Sequence, residues 1–340
     1  MMILRELDKK KSLSLWDLLG ALHHPIKDVL DVLKDLREEG LIKVAKSGFE
    51  LTEDGKSCVK SRTRYTSSVC GTCQGRRIVL NDAFNEILRE FKKAVKDRPQ
   101  PSSTFYQGYM REEDVVHRVA FMHYYGDVED KELVLIGDDD LLSVALSLTG
   151  LPKRVCVLDV DERLGEFLKS LKRSQGLEID FRVYNVADPL PRDLISSFDV
   201  FSSEPLETLS GLRGFLGRGI SCLRESGVGY FGLTILEASY RKWRTIQNFC
   251  VRSNCVITDV VRDFSRYPMC YETVDYESFA SKLGLPTQEK RDWYRSTLFR
   301  FEALGKPKVL VNPLKKIRVQ TIDKKEDFTH PLFDLSSYRF

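Results

Sequence analysis

The stretch Leu133-Val134-Leu135-Ile136-Gly137-Asp138-Asp139-Asp140 reads as a buried parallel strand that runs straight into three consecutive carboxylates. Arg154 to Asp159 (RVCVLD) is a second such strand, again ending in an acid. In a doubly wound sheet the carboxyl ends of adjacent strands form the ligand crevice, and an acid closing the second strand is placed to hold a ribose. A loop built to grip phosphate carries glycines, so that bare N–H groups can approach an anion. This loop offers one glycine and three acids, so the ligand it faces should be cationic.

Composition sets the class. With 340 residues, 42% apolar and 30% charged, the chain is long enough for two domains and has the make-up of an ordinary soluble protein. No apolar run approaches a membrane span, and the opening MMILRELDKKK lacks the apolar core and small-residue cleavage site of a signal peptide. A cytoplasmic protein with no membrane partner is expected. The eight cysteines are scattered, and Cys156, Cys222 and Cys250 fall inside predicted strands or helices, where they behave as small buried hydrophobes. The net charge of +3 implies no polyanionic partner.

Residues 1–62 carry a winged-helix pattern. A short helix over Ser14 to Leu22 is broken at His24-Pro25, and Ile26, Val29, Leu30, Leu33 and Leu36 then recur at helical spacing. Gly40 caps that helix, and Leu41 to Val44 with Phe49 to Thr52 form a small hairpin. Such a unit often meets DNA, but residues 1–60 hold 11 basic and 11 acidic side chains. The candidate recognition helix has Lys27, Lys34 and Arg37 against Asp28, Asp31, Asp35, Glu38 and Glu39. Without a basic stripe there is little phosphate affinity, so no nucleic-acid partner is expected; a structural or dimerising role, and a homodimer, are.

Residues 63–104 form a connector and a helix. The stretch 61–80 is basic (Arg62, Arg64, Arg76, Arg77) and holds Cys70-Gly71-Thr72-Cys73. That CxxC has zinc spacing, but a closed structural site needs four ligands and Cys58 is the one further candidate nearby, so no metal is assigned. Asn81 to Lys96 is an amphipathic helix and Pro99 to Thr104 a linker or lid base. Residues 105–304 form the main domain. A helix over Arg111 to Tyr125 leads in. Strands at 133–136, 154–159, 179–184, 198–201 and 228–234 then alternate with helices at 141–149, 161–173, 208–224 and 238–253, and a further strand lies near 255–263. This is the α/β signature of a Rossmann-like, methyltransferase-type, mostly parallel sheet. Residues 305–340 read as an irregular tail, with Lys315, Lys316, Lys324 and Lys325, that closes over a site or stays mobile.

Acidic groups should converge at the carboxyl edge of the sheet: Asp138 to Asp140, then Asp159 with Asp161, then Glu204 and Glu207, with Asp188 on the same edge. Acids at strand ends are commonly helix caps, and for Asp161 and Asp188 that reading is preferred. For Asp138 to Asp140 it accounts for one residue, since clustered carboxylates repel unless a cation sits between them. His117 and His123 read as packing residues, and Tyr240 and Trp243 likewise; His330 has no evident partner. Tyr106 and Tyr109 are placed to meet a cationic ligand by cation–π contact.

From Tyr106 to about Arg262, and more loosely over the whole length, the chain resembles the archaeal and thermophile branched-chain polyamine synthase family. The resemblance rests on Gly137-Asp138-Asp139-Asp140 and the turn Ser203-Glu204-Pro205-Leu206-Glu207-Thr208, with the helix Gly217 to Leu223 and the strand Gly229 to Thr234. The order of winged helix, CxxC and Rossmann-like domain agrees. The ordered set is specific because independent local signals coincide. The chain departs from the family's Asp-Pro-Pro-Glu at Glu204-Pro205-Leu206-Glu207, which moves a carboxylate by one methylene and loosens the turn.

The resemblance implies aminopropyl transfer from decarboxylated S-adenosylmethionine, a co-substrate rather than a bound cofactor, to the secondary amine of spermidine. The products are branched polyamines such as N4-bis(aminopropyl)spermidine. Carboxylates suit two cationic substrates. Asp140 or Asp139 is the expected base in an in-line displacement at the carbon beside the sulfonium. Gly137 and Asp138 belong to the substrate loop, Asp159 holds the ribose, and Glu204 and Glu237 anchor outer ammoniums, with Tyr106 along the alkyl chain. Two rivals stand beside this. An S-adenosylmethionine-dependent methyltransferase on an amine or nucleic acid would want a glycine-rich first loop or a basic face. A winged-helix regulator sensing a small cation would want a basic recognition helix.

Overall fold

The computed structural model describes residues 2–22, 24–59, 69–268, 276–286, 292–323 and 338. The chain opens with helices α1 (Met2–Lys9), α2 (Leu15–Ala21) and α3 (Ile26–Glu38), a hairpin of β1 (Ile42–Ala45) and β2 (Gly48–Leu51), and α4 (Glu53–Val59). Ser14 and Asp17 start α2 with a reciprocal capping box, each side chain accepting the other's backbone N–H at 3.1 Å. Leu18, Leu30, Leu33 and Phe49 form a fully buried core. This unit docks through Trp16, whose ring lies 4.7 Å from Trp293 and 6.1 Å from Phe279.

Next come α5 (Asp82–Ala94) and α6 (Glu112–Tyr124), then the alternating series β3 (Glu132–Ile136), α7 (Leu142–Leu148), β4 (Arg154–Asp159), α8 (Glu162–Gln175), β5 (Asp180–Val183) and β6 (Phe198–Ser203). It continues with α9 (Leu209–Cys222), β7 (Leu223–Thr234), α10 (Tyr240–Arg252), β8 (Cys255–Tyr267), α11 (Tyr276–Lys282) and β9 (Tyr294–Ala303). One sheet takes the order β5-β4-β3-β6-β7-β9-β8. Its first five strands are parallel, and β9 pairs antiparallel with β7 and β8. This is the Rossmann-like, methyltransferase-type architecture expected.

Strand β9 had no counterpart in the sequence reading. It inserts between β7 and β8, where Phe299 stacks on Phe231 at 4.7 Å, and that placement is set by a long-range pairing no local pattern encodes. Strand β8 also runs past the expected end, to Tyr267, and carries that ring to the sheet's ligand edge.

Two other expectations change. Arg76 and Arg77 are not free basic charges: buried Arg76 pairs with Asp114 at 2.5 Å and donates to the Phe264 carbonyl, and Arg77 pairs with Asp259 at 2.6 Å. The described part of the tail, 305–323, is irregular but pinned. The fully buried Arg218 donates to the carbonyls of Asn312, Pro313 and Lys315 at 3.0, 2.8 and 2.8 Å, and Thr208 Oγ1 donates to the Gln320 carbonyl. Lys324, Lys325 and His330 lie outside the described residues, as do Arg62 and Arg64. No described helix is long and apolar enough to cross a membrane.

Candidate active site

Two left-handed residues frame the three aspartates: Gly137 at φ 76° and Leu141 at φ 59°. Glycine tolerates that region freely; buried Leu141 does not, and such local strain is held only where the surrounding structure fixes it. The kink turns Asp138 and Asp140 inward, so that they are 3% and 4% exposed.

Each aspartate has a distinct setting. Asp138 accepts the Ser143 backbone N–H and hydroxyl, serving the first turn of α7, which is the capping role foreseen for one of the three. Asp139 faces Gly108 N–H and its carboxyl neighbours. Asp140 Oδ1 accepts Met110 N–H at 2.6 Å. Burial is the first cause that pushes all three carboxyls up, with Asp138 and Asp139 raised well above the usual range by it and by one another. Asp140 is pushed up to about 7 by burial and then by Glu204, while Met110 N–H, Arg118 and Arg98 oppose the shift.

Asp159 ends β4 beside them. Its Oδ2 accepts Asp138 N–H at 2.9 Å and its Oδ1 accepts Asp161 N–H at 2.8 Å, which ties the two strand ends together. Burial raises its pKa, and Asp161 adds to the rise. Asp161 caps α8 through Arg163 N–H, as expected. Asp188 caps no helix; it pairs with Lys316 at 3.1 Å, because the segment that follows β5 meets the pinned C-terminal stretch instead.

Glu204 does reach the site, but already engaged. Arg118 Nη2 donates to its Oε1 and Tyr267 donates to its Oε2 at 2.8 Å. Glu207 lies further along. Its Oε1 accepts Thr234 N–H at 2.5 Å, and its Oε2 is sealed from solvent with no hydrogen-bond partner among the described residues. Burial lifts its carboxyl well above the usual range, and Glu237 and Glu204 add to the lift. Glu237 is half-buried, its backbone carbonyl taking the Lys242 ammonium.

Arg118, Leu135, Gly137, Asp138, Asp139, Asp140, Leu142, Ser202, Ser203 and Glu204 line a small cavity. Of the residues foreseen, Gly137, Asp138, Asp139, Asp140 and Glu204 line it, and Asp159 sits directly behind. Tyr106 does not join them: it is half exposed on a left-handed backbone at φ 57°. Tyr109 is buried with Arg98 over its ring at 4.1 Å and its hydroxyl on the Pro99 carbonyl. His117 is held by the Glu113 carbonyl and His123 lies edge-on to Phe84, both away from the aspartates.

The sequence reading missed Arg118, Tyr267 and Arg98. Arg118 carried a faint signal, a cation amid the apolar run of α6, but its partner is 86 residues away. Cys70 and Cys73 sit on an exposed turn; the Cys73 and Thr72 N–H groups lower the Cys70 thiol, and among the described residues no group of three metal-binding side chains forms. Cys156, Cys222, Cys250 and Cys255 are buried, with thiols raised by desolvation.

Comparison with known proteins fits this geometry. The profile of the branched-chain polyamine synthase A C-terminal domain matches residues 86–327. The chain is 39% identical over 297 residues to the N(4)-bis(aminopropyl)spermidine synthase of Thermococcus kodakarensis, covering 85% of this chain and 83% of that protein. It is 34% identical to the protein of the same name from Thermus thermophilus, with the same coverage of both chains. The crystal structure of the Thermus thermophilus branched-chain polyamine synthase, in complex with N4-aminopropylspermidine and 5′-methylthioadenosine, superposes with a TM-score of 0.83 at 31% identity, covering 94% of this chain and 90% of that one. The chain belongs to the branched-chain polyamine synthase family.

Proposed function

We propose that this protein transfers aminopropyl groups from decarboxylated S-adenosylmethionine to the secondary amine of spermidine. The observation that carries the reading is Asp140, a buried carboxyl pushed up to about 7, in a cavity walled by further carboxylates. The acceptor amine is protonated at neutral pH and must lose that proton to attack. A base whose pKa lies near the working pH combines the right protonation state with enough basicity. In the displacement the nitrogen lone pair forms the new C–N bond, the C–S bond breaks, and 5′-methylthioadenosine leaves. The proton passes to Asp140 and then to solvent. Asp139, also raised by burial and by the charge of Asp140, stands beside it as a second carboxyl in the cavity.

Asp159 accepts the backbone N–H groups of Asp138, Asp161 and Val160, and its remaining lone-pair capacity is left for a ribose hydroxyl. The bare Oε2 of Glu207, together with Glu237, suits an outer ammonium better than Glu204, whose two oxygens already have donors. We read residues 1–62 as a winged-helix unit, 63–104 as connector, 105–304 as the catalytic domain and 305–340 as a C-terminal extension. We read the protein as a cytoplasmic homodimer that binds no nucleic acid. The balanced charge of the N-terminal unit supports the last point.

Mass spectrometry of spermidine incubated with protein and decarboxylated S-adenosylmethionine, with S-adenosylmethionine in parallel, tests the reading. A gain of one or two aminopropyl units, lost in Asp140→Asn, is expected. Methylation, or no product, overturns it.

A further inference from the structure

Arg118 is 2% exposed in the middle of α6, and its guanidinium points to the sheet's ligand edge. Nη2 donates to Glu204 Oε1 and, at 3.3 Å, to Ser265 Oγ; Nε is sealed and has no partner among the described residues. Tyr267, at the end of β8, donates to the other Glu204 oxygen. Gly232 on β7 leaves the room: a Cβ there would overlap both carboxylate oxygens of Glu204. Glu204 is thus fixed from three elements, whereas Asp140, across the same cavity, takes one hydrogen bond among the described residues, from Met110 N–H.

Two carboxylates in one desolvated cavity do not both ionise freely. A fixed cation bonded to one of them occupies that carboxylate, and the other, with fewer donors, is the one left to take up a proton. The groups facing Asp140 are Asp138 and Asp139 on its own loop, Glu204 after β6, Arg118 on α6, Arg98, and Tyr267 on β8. Arg118 is the one among them that bonds directly to Glu204 and carries a positive charge.

We propose that Arg118 is a positioning residue for the transfer: by holding the Glu204 carboxylate in place as a fixed hydrogen-bond acceptor, it leaves Asp140 as the group that takes the acceptor's proton. This rests on the aminopropyl-transfer reading above. The reaction's atoms are unchanged; Arg118 neither gains nor loses a proton.

The test is the pH profile of kcat/KM for wild type, Arg118→Gln and Arg118→Lys. In Arg118→Gln the acidic limb moves up by about one pH unit, roughly tenfold in rate below it. Arg118→Lys keeps the limb near that of wild type. An unmoved limb in Arg118→Gln, or the same shift in both variants, reduces Arg118 to a packing residue and overturns the proposal. Should Arg118→Gln fail to fold, Tyr267→Phe decides, because it removes the other donor from Glu204 and leaves the cation. A smaller upward shift is expected there, and none would defeat the idea. If wild type transfers no aminopropyl group, the functional reading fails alone. Arg118 is then judged by carbon-13 titration of the Asp140 carboxyl in labelled protein, assigned with Asp140→Asn. An Asp140 titration identical in wild type and the folded variant rules the proposal out.

Discussion

Gly232 and Glu204 are fitted to one another. The carboxylate of Glu204 occupies the space a side chain at position 232 would fill, with both its oxygens where a Cβ there would stand. Gly232 lies within β7 and pairs with Leu298, so its role is the close approach and not an unusual backbone angle.

Gly232→Ala therefore pushes Glu204 off Arg118 and Tyr267 while leaving the strand intact. The expected outcome is a fall in kcat/KM of about 10²-fold, as a small misplacement near reacting groups produces. Steady-state kinetics beside a thermal melt checks it; full activity would show that the position of Glu204 does not matter.

Asp140→Asn removes the base, and kcat should drop by about 10²- to 10⁴-fold. In wild type, kcat/KM should fall as the pH is lowered through about 7, where Asp140 takes up its proton. Stability runs the other way. The folded pKa lies above the ordinary 3.8, so between 3.8 and about 7 the folded state binds more protons than the unfolded. The contribution of Asp140 is complete below that window and is lost as pH rises through it. Asp140→Asn should accordingly melt higher than wild type at pH 8 and lose that advantage toward pH 4. Calorimetric melts across that range decide the sign.

Arg218→Lys keeps the charge but not the fork that serves the Asn312, Pro313 and Lys315 carbonyls. Each lost bond from a charged donor is worth about 1.5–3 kcal/mol. The melting temperature should fall, and trypsin should gain access to Lys315 and Lys316. A digestion pattern equal to that of wild type would mean that the segment is held by other contacts.

Trp16→Ala removes the ring that joins the N-terminal unit to Trp293 and Phe279. A loss of about 3–5 kcal/mol is expected from the cavity and the lost burial. Denaturant titration measures it; hydrogen exchange should show the weakening in residues 2–59 and 292–303 before the parallel strands.

Much of this protein was legible in the chain before folding. The alternation of apolar strands with amphipathic helices specifies the parallel half of the sheet, because burial on both faces demands it. The run Gly137 to Asp140 specified an acidic, cation-seeking loop, since strand ends in such sheets face the crevice. Asp161 as a cap and Cys156, Cys222 and Cys250 as core residues followed from local propensity alone.

What the tertiary structure decided are the relations between distant residues. Strand β9 enters the sheet between two strands that precede it in sequence. Arg118 reaches Glu204, Tyr267 closes on the same carboxylate, and Arg218 binds down a tail that composition alone left loose. A buried charge reveals nothing of its partner in one dimension. Its desolvation is offset by whatever the fold brings within hydrogen-bond reach, so which carboxylate is fixed and which is left to carry a proton is settled only when the sheet has assembled.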